Sequence, residues 1–397
     1  MRNILNIKNM KKLVQQFLRE PARTSHKILI LGAFAALCGT VVLVQQGWNS
    51  APTVASTRGS ATGLSVLGDS AKLTKQQKFF LPVAEQLLVQ GADAGFVKQV
   101  LNDTNLAFYE KLTKINIATH PPEPKPLPAT PPKKRVNPYE YAYNDLAMKK
   151  ASEFLLANDS LLSAAEQMYR VPKEAITSIM WIETRFGDFL GDYHVSSVYM
   201  SYAMATQPKF LQKNKDRLKA DFSAYYEKQM QAKVEAGKEL TAQDTADVLT
   251  KWAVIEEKMM EKAQKKASWA IGELIALQQM RKISPIPIQQ LRGSWAGAFG
   301  LSQFIPSSYV KLAVDGNGDG KINLFDVRDA AHSVGHYLSN AGWGASKKAR
   351  HRAVYNYNHS DDYVNAVLGL CTRLEKKSPE LAKELAKMAV NRTAEKN

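Results

Sequence analysis

Twelve consecutive residues, Asp315 to Asp326, read DGNGDGKINLFD and admit very few backbone paths. Counting Asp315 as position one, side-chain oxygens fall at Asp315, Asn317 and Asp319, and Gly320 supplies the sharp turn. The carbonyl of Lys321 takes position seven, Asn323 position nine and Asp326 position twelve. This is the spacing of an EF-hand-like oxygen loop, which wraps a hard cation and hands the chain into a helix. Position twelve is Asp, one methylene shorter than the usual Glu, so the site takes Ca2+ weakly or admits another, smaller cation. The sequence has no second such loop, whereas calcium sensors commonly pair two. A lone site of this kind reads as a structural staple.

The rest of the chain is consistent with a helical setting. From Leu73 to about Ile117 the apolar spacing is helical, and it is helical again from Tyr139 to Leu190. In the second stretch Pro172 opens a helix expected to run to about Phe186. After the acidic loop, helices are expected at 327–341, 361–374 and 378–392. Few stretches alternate with period two, so the fold class reads as mainly α (α+β). A Pro-rich connector spans 120–138, and its prolines favour an extended surface path. Residues 211–268 are dense in Lys, Glu, Gln and Ala with thinly spread apolar positions. They read first as a solvated helical hairpin and second as an arm for a protein partner.

Residues 28–44, ILILGAFAALCGTVVLV, carry no charge, and at ~1.5 Å rise per residue they just span a thin bilayer core. Seven Lys and Arg precede them against the lone acid Glu20, which places the N-terminus in the cytoplasm. The run exceeds a signal-peptide core and no A-x-A site follows it. Leu37 before Cys38 is too large for a lipidation box. The expected organisation is therefore a basic cytoplasmic segment at 1–27, a transmembrane signal-anchor at 28–45 and a flexible linker at 46–72. A catalytic region follows at 73–375 and a basic helical tail at 376–397. A single-pass membrane location, with the body on the side away from the cytoplasm, follows from that reading. A net charge of +16 suits an acidic partner. The basic residues lie throughout the chain and no zinc-finger spacing occurs, so nucleic acid is not expected.

Two segments carry chemistry. In EAITSIMWIETRFG, residues 174–187, Ile176, Ile179, Met180 and Glu183 share one helical face. Glu183 thus lies among apolar side chains, where desolvation disfavours its charge and suits a general acid near neutral pH. The competing reading is a Glu paired with a buried Arg or Lys. In RGSWAGAFGLSQFIPSSY, residues 292–309, the glycines permit close backbone approach while Ser294 and Gln303 offer neutral hydrogen-bonding groups. Trp295, Phe299 and Phe304 offer flat faces for sugar rings. Tyr357, Asn358 and Tyr363 follow in YNYNHSDDYVNAVLGL and would line a cleft. His332 and His336 sit four apart, but the Glu of a zinc H-E-x-x-H motif is missing.

ETRFG, GSWAGAFGLSQFIPSSY, DGNGDGKINLFD, the GW at 342–343 and YNHSDDYVNAVL occur in the order seen in the membrane-bound lytic murein transglycosylase B family, which this chain resembles from about residue 79 to 375. The resemblance implies a lysozyme-like catalytic core with helical additions and one structural Ca2+ site. It implies cleavage of the MurNAc–GlcNAc β-1,4 bond of peptidoglycan glycan strands without water, leaving 1,6-anhydromuramoyl ends. By motif, Glu183 is the catalytic residue, acid and then base, and Ser294, Gln303, Tyr357, Asn358 and Tyr363 bind substrate. Asp315, Asn317, Asp319, Lys321, Asn323 and Asp326 hold the cation. A hydrolytic muramidase on the same scaffold and an inactive wall-binding scaffold protein are the alternatives. The chain departs from the family in its long 211–268 insertion, its enlarged connector and an anchor where the family has a lipidation box.

Overall fold

The computed structural model describes residues 73–122 and 138–394. The anchor read at 28–45 and most of the Pro-rich connector lie outside the described residues. Within the described residues no helix is long and apolar enough to cross a membrane. The described chain forms two compact units, one of residues 73–101, 109–122 and 200–271, the other of 102–108, 138–199 and 272–394.

In the first unit, helix α1 (Lys75–Val89) starts at a capping box. Thr74 accepts from the Gln77 backbone N–H, and the Gln77 side chain accepts in return from Thr74 N–H at 2.8 Å, so two otherwise orphaned donors are satisfied. Helix α2 (Ala94–Leu101) follows. Residues 211–268 do form a helical hairpin, within α7 (Pro208–Glu235) and α8 (Ala242–Met280). It is not a bare solvated excursion, however. Leu218, Phe222, Val248, Trp252, Ile255, Met259 and Ala263 make a core of their own with Ile115 and Ala205. Their spacing of three and four along each helix is a narrow seam, which composition alone disguises as polar. The segment 112–115 is tied to this hairpin by side chains. Asn214 donates to Thr113 O at 3.0 Å and accepts from Ile115 N–H at 2.8 Å, and Lys266 donates to the Leu112 and Lys114 carbonyls.

The second unit is organised around one helix. Helices α3 (Asp145–Ala157), α4 (Asp159–Tyr169) and α5 (Lys173–Thr184) come in succession, and α6 (Val195–Ala203) begins in this unit, with α9 (Pro306–Leu312), α10 (Val327–Asn340), α11 (Lys347–Tyr357) and α12 (Asp361–Ala394) later in the chain. Ile176, Ile179 and Met180 of α5 join Leu162, Val334, Val364, Val367 and Leu370 in a single apolar core. Helix α5 is enclosed on nearly all sides: from Glu174 to Thr184 every residue is buried except Glu183, and the buried hydroxyls of Ser178 and Thr184 donate to backbone carbonyls. Helix α5 stops at Thr184, two residues before the expected end, because Arg185 and Phe186 take left-handed backbone angles.

The C-terminal helices differ from expectation in two ways. The segments expected at 361–374 and 378–392 are one helix, α12, running through Pro379. Helix α11, very polar in composition, was not expected and is nucleated by Ser346, whose side chain accepts from Ala349 N–H. The β content is one antiparallel pair, β1 (Tyr193–His194) with β2 (Arg292–Gly293), in register Tyr193 to Gly293. Beneath it lies a buried set: His194 Nδ1 is 2.7 Å from Ser197 Oγ, and its Nε2 is 3.2 Å from Asp103 Oδ2. An Asp–His–Ser set invites a hydrolytic reading, but His194 and Asp103 are sealed from solvent and desolvation pulls the His194 pKa down. The set anchors the strand pair.

Candidate active site

Between Glu174 and Thr184 of the enclosed central helix, Glu183 alone keeps a path to solvent, and enough protein crowds its carboxyl to push the pKa up to about 7. Burial is the larger cause, partly offset by a hydrogen bond that the Tyr363 hydroxyl donates to Oε1 at 2.6 Å. Among the described residues no Lys or Arg pairs with Glu183, so the ion-pair reading of this position does not hold. Tyr363 is itself buried, 1% exposed, so its hydroxyl serves the carboxyl rather than an open sugar wall.

Phenols surround the acid. Tyr139 meets the Tyr363 ring edge-on at 5.7 Å, and Tyr357 stacks on Tyr363 with centroids 6.5 Å apart. Burial first, and the Glu183 charge second, raise the pKa of all three tyrosines. They therefore remain protonated where Glu183 titrates.

Residues 292–304 form the facing loop. Thr184, next to the acid, donates to Leu301 O at 3.1 Å and accepts from Gly187 N–H. Tyr357 donates to Ser302 O at 2.5 Å. Gln303, in a left-handed conformation, donates from Nε2 to Leu190 O at 3.2 Å and Gly300 O at 3.0 Å. Gly297 has φ near +80° and a Cβ there would meet the Tyr199 ring at 2.5 Å, so no larger residue fits. Ser294 Oγ accepts from Ala298 N–H at 3.2 Å, which leaves its own proton available to a ligand. Asn358 caps α11 beside Tyr357. Glu183, Tyr357 and Tyr363 are thus brought together, while Gln303, Ser294 and Asn358 lie on the adjoining segments without a bond to the acid. Of the flat faces expected for sugars, Phe299 and Phe304 are core residues at 2% exposure, and Trp295 alone is exposed.

The cation loop is joined to this frame. Gly300 has φ near +73°, and a Cβ there would sit 2.5 Å from Leu324 Cβ. Leu301 N–H donates to Leu324 O at 2.8 Å. The Leu301 peptide thus takes a bond from Thr184 on one side and gives one to the loop on the other. Within the loop, Asp315 accepts from Gly318, Asp319 and Gly320 N–H groups, which hold its carboxyl below the usual range. Asp326 Oδ1 caps α10 through Arg328 N–H at 2.8 Å. Sequence reading missed Asp329, fully buried and accepting from Gly316 N–H at 2.9 Å and Asn323 N–H at 2.6 Å. It closes the loop from outside the twelve positions, three residues past Asp326, where no ligand pattern points. Among the described residues no three His, Cys, Asp or Glu groups converge to hold a metal. His332 packs on Tyr169, and His336 Nδ1 contacts Leu312 O.

Residues 76–353 match the family model described as the transglycosylase SLT domain. Over 79 residues the chain is 44% identical to membrane-bound lytic murein transglycosylase B of Escherichia coli (strain K12). That match covers 20% of this chain and 22% of the relative. The crystal structure of soluble lytic transglycosylase SltB1 from Pseudomonas aeruginosa is similar over 77% of this chain and 99% of its own, at 18% identity and a TM-score of 0.50, which is a likeness of fold. The Escherichia coli Slt35 complex with bulgecin A aligns over 73% of this chain and 92% of its own, at 19% identity and a TM-score of 0.49. The family match ends before Tyr357, Asn358 and Tyr363.

Proposed function

Because the chain belongs to the transglycosylase SLT domain family, we propose that it is a peptidoglycan lytic transglycosylase that cuts the MurNAc–GlcNAc β-1,4 bond and leaves 1,6-anhydromuramoyl ends. The observation that carries this reading is the single desolvated carboxyl. Glu183 has a pKa near 7, phenols for neighbours and no second carboxylate among the causes of its shift. Ordinary glycosidases need two carboxyl groups, and those with one rely on the substrate.

Protonated Glu183 donates to the glycosidic oxygen as the bond to the muramoyl anomeric carbon breaks. The muramoyl 2-acetamido group stabilises the positive charge that develops there, and Ser294 orients that amide. The carboxylate left behind then removes the proton of the muramoyl 6-hydroxyl, whose oxygen closes on the anomeric carbon. The proton returns to Glu183, so the enzyme ends as it began and no water is consumed. The Tyr363 hydroxyl steadies the carboxylate in the intervening state.

The loop 315–326 would hold one Ca2+ through Asp315, Asn317, Asp319, the Lys321 carbonyl, Asn323 and Asp326. An all-oxygen donor set with Asp315 kept ionised suits a hard cation. The ion would supply fixed positive charge and rigidity, not a reacting group. The segment 28–45 would tether the domain to the bacterial inner membrane with the body in the periplasm.

Digestion of purified sacculi followed by mass spectrometry of the released muropeptides tests the reaction. Fragments one water lighter than reducing ends are expected, and they should vanish with Glu183→Gln. Reducing ends would make the protein a hydrolytic muramidase. Undiminished cleavage by Glu183→Gln would remove Glu183 as the acid.

A further inference from the structure

Two residues beyond Glu183, Arg185 is held in an unusual setting. Its backbone is left-handed at φ near +50°, and its N–H bonds to the Met180 and Trp181 carbonyls. Phe186 beside it, also left-handed, stacks face to face on Phe154 with centroids 3.9 Å apart. A non-glycine residue in this region costs ~1 kcal/mol or more and persists only where its surroundings fix it. The side chain is fixed as well. The guanidinium lies over the Tyr141 ring at 4.8 Å and the Phe189 ring at 4.6 Å from their centroids.

Stacking occupies the flat faces of a guanidinium and leaves its in-plane N–H donors for something else. Among the described residues nothing takes them: no carboxylate or carbonyl accepts from the Arg185 side chain. Two other arginines of this unit are paired with carboxylates, Arg350 with Glu375 and Arg373 with Asp145. The two rings that hold Arg185 are themselves open to solvent, Tyr141 39% and Phe189 60% exposed. A rigid, weakly hydrated cation between exposed rings, with its fork unused, is the arrangement that receives a planar anion bidentately.

We propose that Arg185 is a specificity-determining residue that binds a carboxylate of the peptide stem carried by the muramoyl sugar. This rests on the reading of the protein as a peptidoglycan lytic transglycosylase. In a stem-bearing strand the lactyl carboxyl of the muramoyl sugar is tied up in the amide bond to the stem, so the carboxylates nearest the scissile bond belong to the stem, which hangs from the ring that Glu183 would act on. Arg185 would thus select stem-bearing strands over bare strands without touching the reacting atoms.

The test compares wild type, Arg185→Met and Arg185→Lys on strands from one preparation of sacculi, intact or stripped of stems by an amidase, with the lactyl carboxylate so freed converted to its neutral methylamide. Binding of a soluble disaccharide bearing a tetrapeptide stem or, in its place, a neutral lactyl methylamide is measured by calorimetry alongside. Wild type is expected to favour stem-bearing strands. Arg185→Met should lose about tenfold in kcat/KM on them, chiefly through KM, so that the preference collapses. Arg185→Lys keeps a charge but not the fork, and should recover only part of the preference; if Arg185→Met does not fold, this variant alone decides. Equal losses on both substrates, or an unchanged preference, would overturn the proposal. The calorimetry separates the two claims: preferential binding of the stem that Arg185 variants abolish sustains this inference even if no anhydro product forms, whereas anhydro product with no stem preference sinks it alone.

Discussion

Replacing Glu183 with glutamine removes a titrating proton and keeps an oxygen for the Tyr363 hydroxyl to donate to. In the folded protein the carboxyl ionises near 7 against 4.5 in its ordinary state. At about 1.4 kcal/mol per tenfold change in proton affinity, its ionised form is disfavoured in the folded protein by ~3 kcal/mol. Because the folded value is raised, the folded state holds a proton that the unfolded chain has released between pH 4.5 and 7. Wild-type stability therefore falls as pH rises through that window and levels off above it. The glutamine variant carries no such dependence. Urea unfolding from pH 4 to 8 should show the two proteins matched at the acid end and the variant more stable by ~3 kcal/mol at the alkaline end. A difference that stays flat across the window would mean the carboxyl is well solvated, and the argument for a neutral acid at position 183 would fail.

The same proton should appear in the rate, with kcat/KM declining above pH 7 as Glu183 loses the form that donates. Tyr363→Phe removes the interaction that pulls the Glu183 pKa down, so the alkaline limb should move higher while kcat drops ~10-fold; an unmoved limb would deny Tyr363 its role. Gly300→Ala forces a Cβ to within 2.7 Å of the Leu324 carbonyl oxygen at a positive φ, and should cost ~3 kcal/mol in urea unfolding. Calcium at a hundredfold excess over its Kd should stabilise the protein by ~2.7 kcal/mol with little change in scattering profile, an effect that chelator reverses and Asp315→Ala abolishes.

The parts legible in the sequence are those set by local pattern. The i, i+3, i+4, i+7 spacing of Ile176, Ile179, Met180 and Glu183 leads to the enclosed helix, and three of those four residues are fully buried. Glycine spacing in 293–300 leads to a tightly packed loop because a Cβ at Gly293 or Gly297 has nowhere to go. What was not legible depends on partners distant in the chain. Tyr363 lies 180 residues from the carboxyl it serves, and no local pattern tells such a tyrosine from one lining a groove. Phe299 and Phe304 have the composition of a sugar platform, and only tertiary packing turns them inward. Asp329 looks like an ordinary first-turn acid of α10, and the termination of α5 at two non-glycine residues breaks the usual helix-stop rule.

The ring of neutral phenols around Glu183 bears on product identity. Tyr139, Tyr357 and Tyr363 all hold their protons more tightly than a free tyrosine, so none competes for one. In the proposed reaction an intruding water molecule and the sugar's own hydroxyl must then both deliver to the same acceptor. The outcome becomes a race between two nucleophiles for one seat, won by the tethered contestant, and any change that widens the recess hands the advantage to solvent.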